Sequence, residues 1–222
     1  MTTTKLVTLA VVSIFATGMA AGVAGADPQL ERGRKLYGLC TQCHGEQGLG
    51  DQRFLAPAIA GLELWYVQRE LEYFRSGVRG THFDDIAGMR MRPMALTLRS
   101  QEDVAAVAAY VASMPPTKPP STLSGGNAAK GQVFYDQVCK TCHGPDGAGI
   151  QAQNGPDINH GSDWYQKKQI ENFKAGVRGA NPKDVTGMLM RPMAMTLVDE
   201  QAILDVIAYI NTLSPTAAQQ AK

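Results

Sequence analysis

Two pentapeptides, Cys40-Thr41-Gln42-Cys43-His44 and Cys139-Lys140-Thr141-Cys142-His143, contain every cysteine of this 222-residue chain. A Cys-x-x-Cys-His run constrains the fold around it, because residues three apart lie on one face of a helical turn and both thiols then point the same way. This is the c-type haem attachment pattern: two thiols add to two porphyrin vinyl groups, and the imidazole one step on falls beneath the iron. A lone copy is also compatible with a dithiol redox site or half of a zinc site. A Cys2His2 zinc finger needs its histidines well downstream of the cysteine pair, not beside it. Two copies with no cysteine left over point to haem in both.

The motifs belong to a longer repeat. Adding 99 to a first-half position takes Cys40 to Cys139, His44 to His143, Pro57 to Pro156, Trp65 to Trp164 and Gly77 to Gly176. The register continues without a gap through Arg79 and Arg178, Met91 and Met190, Leu98 and Leu197, and Tyr110 and Tyr209, which marks an internal duplication. Between the copies, the stretch from Met114 to Gly126 holds four prolines and two glycines, a linker stiff at its start and flexible at its end. The expected division is a domain over 27–117, a linker over 118–126 and a second domain over 127–222.

Residues 1–26 stand apart. One early cation, Lys5, precedes an uncharged run of apolar and small residues ending in Ala24-Gly25-Ala26. The pattern is that of a secretory signal peptide cut before Asp27, which places the mature chain in the periplasm. The alternative is an uncleaved anchor, since the run approaches the roughly 18 to 20 residues that span a bilayer. Export normally brings disulfides, but haem attachment would leave no cysteine to form one. Cleavage also removes Lys5 from the 21 basic residues and leaves 20 against 20 acidic ones. A neutral polypeptide has no basic surplus with which to track a phosphate backbone, so nucleic acid is not an expected partner.

Each domain reads as three main helices joined by long loops, giving an all-α fold. Asp27 and Asn127 suit N-caps, and Pro28 suits a first helical position. A second helix is expected near 62–76 and 162–175, stopping at Gly77 and Gly176. The third begins at Ser100 or Asp199, and Val104, Val107, Ala108 and Val111, or Ile203, Val206, Ile207 and Ile210, then form one apolar face. Ser100 with Asp103 resembles a capping box, and Pro115 and Pro215 bar continuation. No alternating β-branched run argues for a sheet. Domains of about 90 residues have thin cores, and a covalently held haem would supply apolar surface for the helices to close around.

The motif histidine supplies the fifth iron ligand, so function turns on the sixth. Only His82 and His160 remain as histidines, and their repeat partners are Asn181 and Gly61, so histidine ligation would break the duplication; both are read as surface or loop residues. Seven of the ten methionines crowd into 89–94 and 188–195, read as loops. Methionine also fills irregular apolar gaps, but one per domain on the iron would raise the potential and close the coordination sphere, which favours electron transfer over substrate chemistry. The duplication fits Met89 with Met188, Met91 with Met190 and Met94 with Met193 equally well. The Arg-Pro after Met91 and Met190 favours an extended backbone.

The Cys-x-x-Cys-His motif, a proline 13 residues later and a methionine seven before the leucine leading into the last helix resemble class I cytochromes c. Two such domains, each with a Pro-x-Ile segment and Gly-Val-Arg-Gly after its second helix, resemble the di-haem cytochrome c4 family across essentially the whole mature chain. The resemblance implies two covalently attached haems c, held by Cys40, Cys43, Cys139 and Cys142, with irons ligated by His44, Met91, His143 and Met190. In relatives a proline carbonyl accepts the axial histidine's ring N–H; the matching residues are Pro57 and Pro156, which a plain loop turn would also explain. Arg79 and Arg178 suit haem propionates, or are simply solvated; Trp65 and Trp164 suit packing against a haem edge or between domains.

The resemblance implies a periplasmic carrier of single electrons, not an enzyme. Its partners would be redox proteins such as a quinol-oxidising complex, a terminal oxidase or a periplasmic dehydrogenase, with room for peripheral membrane association. The rival readings are a haem-bearing subunit of a larger dehydrogenase complex, or a di-haem peroxidase with one open iron.

Overall fold

The computed structural model describes residues 1–2 and 27–220, so the expected signal peptide over 1–26 lies, its first two residues apart, outside the described residues. Among the described residues the chain is helical, and extended pairing is limited to two isolated bridges, Asp51 with Ala56 and Ile150 with Gly155. No helix among them is long and apolar enough to cross a membrane.

The first half comprises α1 (Pro28–Tyr37), the single turn α2 (Thr41–His44), α3 (Leu64–Ser76), α4 (Ile86–Leu96) and α5 (Gln101–Ser113). The second repeats it as α6 (Ala128–Phe134), α7 (Lys140–His143), α8 (Asp163–Lys174), α9 (Val185–Met195) and α10 (Glu200–Ile210), followed by a short α11 (Ala217–Gln220). The expected caps are in place: Asp27 Oδ1 accepts from Gln29 N–H at 2.8 Å and Asn127 Oδ1 from Lys130 N–H at 3.1 Å. Ser100 Oγ accepts from Asp103 N–H at 3.1 Å, and the Asp103 carboxylate also takes Arg99 N–H and the Arg32 guanidinium. Helix α10 ends at Ile210, well before Pro215, so the proline is not what stops it.

Each half has its own core. Val67, Leu71 and Phe74 of α3 meet Val104, Val107 and Val111 of α5, and in the second half Ile170 and Phe173 of α8 meet the apolar face of α10. Helices α1 and α5 cross at Gly33, where a Cβ would lie 2.1 Å from the Ala106 carbonyl oxygen; Gly131 makes the same crossing of α6 over α10, 1.9 Å from the Asp205 carbonyl. Only glycine allows backbones this close.

The spacing from crossing to haem motif differs by one residue. Tyr37 and Cys40 are three apart, whereas Tyr135 and Cys139 are four apart, and the extra residue is taken up in a π-helical turn over Tyr135–Cys139. A π-turn holds one more residue than the α-turn it replaces. Tyr37 and Tyr135 thereby reach the same place: their hydroxyls donate to Gly45 O at 2.9 Å and Gly144 O at 2.7 Å.

Two loop expectations are corrected. The methionine segments are helices, α4 and α9, each with a proline inside. Asp85 and Asp184 start them by accepting from Gly88 N–H at 3.0 Å and Gly187 N–H at 2.8 Å. Packing then overrides the Arg-Pro preference: Ala95 and Ala194 are fully buried, while Pro93 and Pro192 sit on the exposed side, where water can serve the carbonyl left without a donor. The linker's end is also pinned. Asp163 accepts from Thr122 and Leu123 N–H at 2.7 and 2.9 Å, and a Cβ on Gly126 would meet the Leu204 carbonyl oxygen at 2.2 Å. The glycine there serves close approach, not freedom.

Candidate functional site

Helix α1 delivers the chain to Cys40, whose N–H donates to Tyr37 O at 2.7 Å, and α2 carries it round one turn to His44. Gly45, at φ 75°, ends the turn and sends the chain away. The single turn sets Cys40 and Cys43 three residues apart, as the motif requires, with the histidine beneath. In the second half the π-turn leads through Cys139 into α7, and Gly144 at φ 80° ends it.

His44 is buried, and its Nδ1–H donates to Pro57 O at 2.9 Å; His143 Nδ1–H donates to Pro156 O at 2.8 Å. A carbonyl only accepts, so it fixes the tautomer in which Nε2 carries the lone pair. Loss of solvation holds both imidazole pKa values below the ordinary histidine range, against the opposing pull of the proline carbonyls. The result is a pair of oriented, neutral imidazoles suited to a metal.

Met91 is partly buried and packs against the same core as Cys40; Met190 does likewise with Cys139. Met89, Met94, Met188, Met193 and Met195 are all exposed. Of the three methionine pairs that the repeat allows, only one is placed on the cores that also take in the motif cysteines.

The two halves meet in a ring of buried polar side chains. Arg79 donates to Glu70 Oε2 through Nη1, and to Gln169 Oε1 at 3.2 Å and Tyr165 OH at 3.3 Å through Nη2. Arg178 donates to Gln169 Oε1 at 2.9 Å and to Glu70 Oε2 at 3.3 Å. Because Glu70 and Gln169 are repeat partners, as are the arginines, the ring has pseudo-two-fold symmetry. Each guanidinium also lies over a phenylalanine of its own half, Arg79 4.4 Å from the Phe74 centroid and Arg178 4.5 Å from that of Phe173. Burial works against ionised Glu70, yet Arg79, Arg178 and Arg69 together hold its carboxyl below the usual range.

These placements correct three readings. Arg79 and Arg178 are not solvated charges, and His160 is not a surface residue: it is buried, and its Nδ1–H donates to Asn159 Oδ1 at 3.0 Å. Glu70 and Gln169 were missed altogether. The signal was a polar side chain one step from Leu71 or Ile170 on the face that also carries Val67 and Phe74, or Phe173.

Several donors around the ring and near α4 and α9 are buried without a protein acceptor: Trp65 Nε1, Arg69 Nε and Nη1, and the Nε atoms of Arg79, Arg92, Arg178 and Arg191. A buried N–H left unpaired costs about 1–3 kcal/mol, more when charged. So many cationic donors call for anions, and each haem brings two carboxylates. Among the described residues no cluster of three or more His, Cys, Asp or Glu side chains forms a metal cage. One neutral imidazole, two thiols and one thioether per half, with buried donors nearby, fit haem c better than a bare ion.

The sequence profile of the cytochrome c family matches residues 30–115 and 128–214. The thiosulfate dehydrogenase electron acceptor of Thiomonas intermedia (strain K12) is 31% identical over 194 residues, spanning 82% of this chain and 83% of the relative. The crystal structure of reduced recombinant cytochrome c4 from Pseudomonas stutzeri superposes with a TM-score of 0.63 at 26% identity, over 83% of this chain and 98% of that one. The thiosulfate dehydrogenase structure from Marichromatium purpuratum superposes at 0.66 with 27% identity, over 82% of this chain but 40% of that one.

Proposed function

The chain belongs to the cytochrome c family as a di-haem class I cytochrome of the cytochrome c4 type, an electron carrier and not an enzyme, and from that premise we propose that it serves a periplasmic dehydrogenase as electron acceptor. Thiosulfate dehydrogenase is the donor that the Thiomonas relative suggests. Export by a signal over residues 1–26 is part of the same proposal, as are domains over 27–117 and 127–222 joined by 118–126.

When bound, each haem c supplies a one-electron ferric–ferrous couple. The chain's residues hold and tune it. Thiols of Cys40 and Cys43, and of Cys139 and Cys142, form the thioether links that keep it in place. We assign His44 Nε2 and His143 Nε2 as the nitrogens that would hold each iron, with the Pro57 and Pro156 carbonyls fixing ring orientation and basicity. Met91 and Met190 would supply a thioether to each iron, and the unpaired donors of Trp65, Arg69, Arg92 and Arg191 would receive propionates. A histidine and a methionine on each iron would leave no site open to substrate, which suits electron transfer.

The observation that carries this reading is the shared placement of Met91 with Cys40 and of Met190 with Cys139 on the two cores. Replacing Met91 and then Met190 by alanine should remove the methionine-to-iron charge-transfer band of the ferric protein in two equal steps. A full band in either single variant refutes that ligand. The donor is tested by mixing oxidised protein with thiosulfate dehydrogenase and thiosulfate: reduction of both haems is expected, and no reduction excludes that partner.

A further inference from the structure

We propose that Glu70 is the positioning residue for electron exchange between the two haem sites: as the one carboxylate in the buried ring, it docks the halves and sets the charge they share. The proposal rests on the presence of a haem in each half. Its structural basis is a break in the repeat. Glu70, Arg79, Gln169 and Arg178 are 8%, 5%, 7% and 7% exposed, and each hydrogen bond among these four side chains has its counterpart in the repeat. Only the pair Glu70 and Gln169 differs in charge.

Two perfect repeats can be compared with what is found. Glutamine at both positions would leave two guanidiniums facing each other with no counterion. Glutamate at both would neutralise the ring but place two carboxylates close together. One carboxylate gives a net charge of one positive unit and lets a single oxygen, Oε2, draw in a guanidinium from each half. Removing one partner of a buried ion pair is strongly destabilising because it leaves an unpaired charge. The groups facing Glu70 are Arg79 and Arg178 across the ring, Arg69 from its own helix, with Nη2 3.4 Å from Oε1, and the phenol of Tyr66, while the Tyr165 hydroxyl accepts from Arg79. Lys168, the repeat partner of Arg69, is exposed and does not join in.

The Nε atoms of the same guanidiniums and the Gln169 amide Nε2 are buried without a hydrogen-bond partner. Glu70 therefore acts through Arg79 and Arg178. It holds one guanidinium from each half on a single oxygen, and so sets how the two halves that would carry the haems are docked. Its charge also favours the ferric state of both irons, and salt cannot screen a charge buried this deeply.

The test uses the full haem-loaded protein in three variants: Glu70→Gln, Gln169→Glu, and the double exchange that moves the carboxylate to the second half. Both midpoint potentials are measured by spectroelectrochemical titration, and thermal unfolding is followed by calorimetry. Glu70→Gln should raise both potentials, at low and high salt alike, and should split unfolding into two transitions. Gln169→Glu should lower both. The double exchange should return the potentials and the single transition, because one carboxylate again faces both guanidiniums. Potentials unchanged in Glu70→Gln, or left at the Glu70→Gln values in the double exchange, would overturn the proposal. If Glu70→Gln does not fold, Gln169→Glu and the exchange decide alone, and potentials unmoved in Gln169→Glu or shifted in the exchange are equally fatal. A wrong ligand assignment would show in the spectrum of the unsubstituted protein, whereas this proposal stands on differences between variants.

Discussion

The Ala58 N–H donates a 3.0 Å hydrogen bond to Ser162 Oγ across the boundary between the halves. Its repeat counterpart, Asp157 N–H to Glu63 Oε2, measures 3.1 Å. Ser162 and Glu63 are the residues that start α8 and α3, and Ala58 and Asp157 follow the prolines whose carbonyls hold His44 and His143. Each half thus steadies the other's histidine loop.

Replacing Ser162 by alanine should therefore act on the half that does not contain it. The Ala58 N–H would be left buried without an acceptor, at a cost of about 1–3 kcal/mol. Thermal unfolding followed at each haem should show the first half destabilised more than the second. Equal effects on both, or an effect confined to the second half, would refute this coupling.

Gly33→Ala and Gly131→Ala should each destabilise the half that carries them. On an open helix the change to alanine would gain up to about 1 kcal/mol. Here the new methyl meets backbone oxygen at 2.1 Å or 1.9 Å, and backbone cannot swing aside as a flexible side chain would. Overpacking costs about 1–3 kcal/mol, so the clash wins. Denaturant titration of each variant gives the sign, and a gain in stability would show that the helices separate cheaply.

The helices with apolar period and strong caps were legible in the sequence: Asp27, Asn127, Ser100 and Asp199 cap where their side chains suggest. So were the haem motifs, whose chemistry is local. The helix over the methionines was not, because Pro93 and Pro192 argue against it and only the burial of Ala95 and Ala194 reveals why it forms. The ring around Glu70 was hidden for another reason. Its members come from opposite halves, up to 108 residues apart, and no local pattern says that Arg79 will face Gln169 instead of water.

The linker should loosen in acid. Burial opposes ionisation of Asp163, but hydrogen bonds from Leu123, Thr122 and Trp164 outweigh it and hold the carboxyl below its ordinary range. A depressed carboxyl contributes stability that is complete above the unfolded-state value of about 3.9 and is lost as pH falls through the folded-state value. Amide exchange of Thr122 and Leu123, corrected for its intrinsic pH dependence, should show steady protection from pH 7 down to about 4 and loss below it. Asp163→Ala should lose that protection at neutral pH by about tenfold or more, since a hydrogen bond to a charged group is worth about 1.5–3 kcal/mol. Protection that survives both changes would mean the linker is held by something other than Asp163.

Deleting Gln137 should leave the second half able to bind its haem. The first half runs from Tyr37 to Cys40 in three steps and the second from Tyr135 to Cys139 in four, so the deletion gives both the same spacing. Gln137 is exposed, and its removal converts the π-turn into an ordinary α-turn with Tyr135 and Cys139 still at its ends. An α-turn has the better hydrogen-bond geometry, so the second half should become no less stable. Haem content per chain and the stability of the second half measure this directly. Two haems and an unchanged or raised midpoint are expected; loss of the second haem would show that the π-turn itself places Cys139.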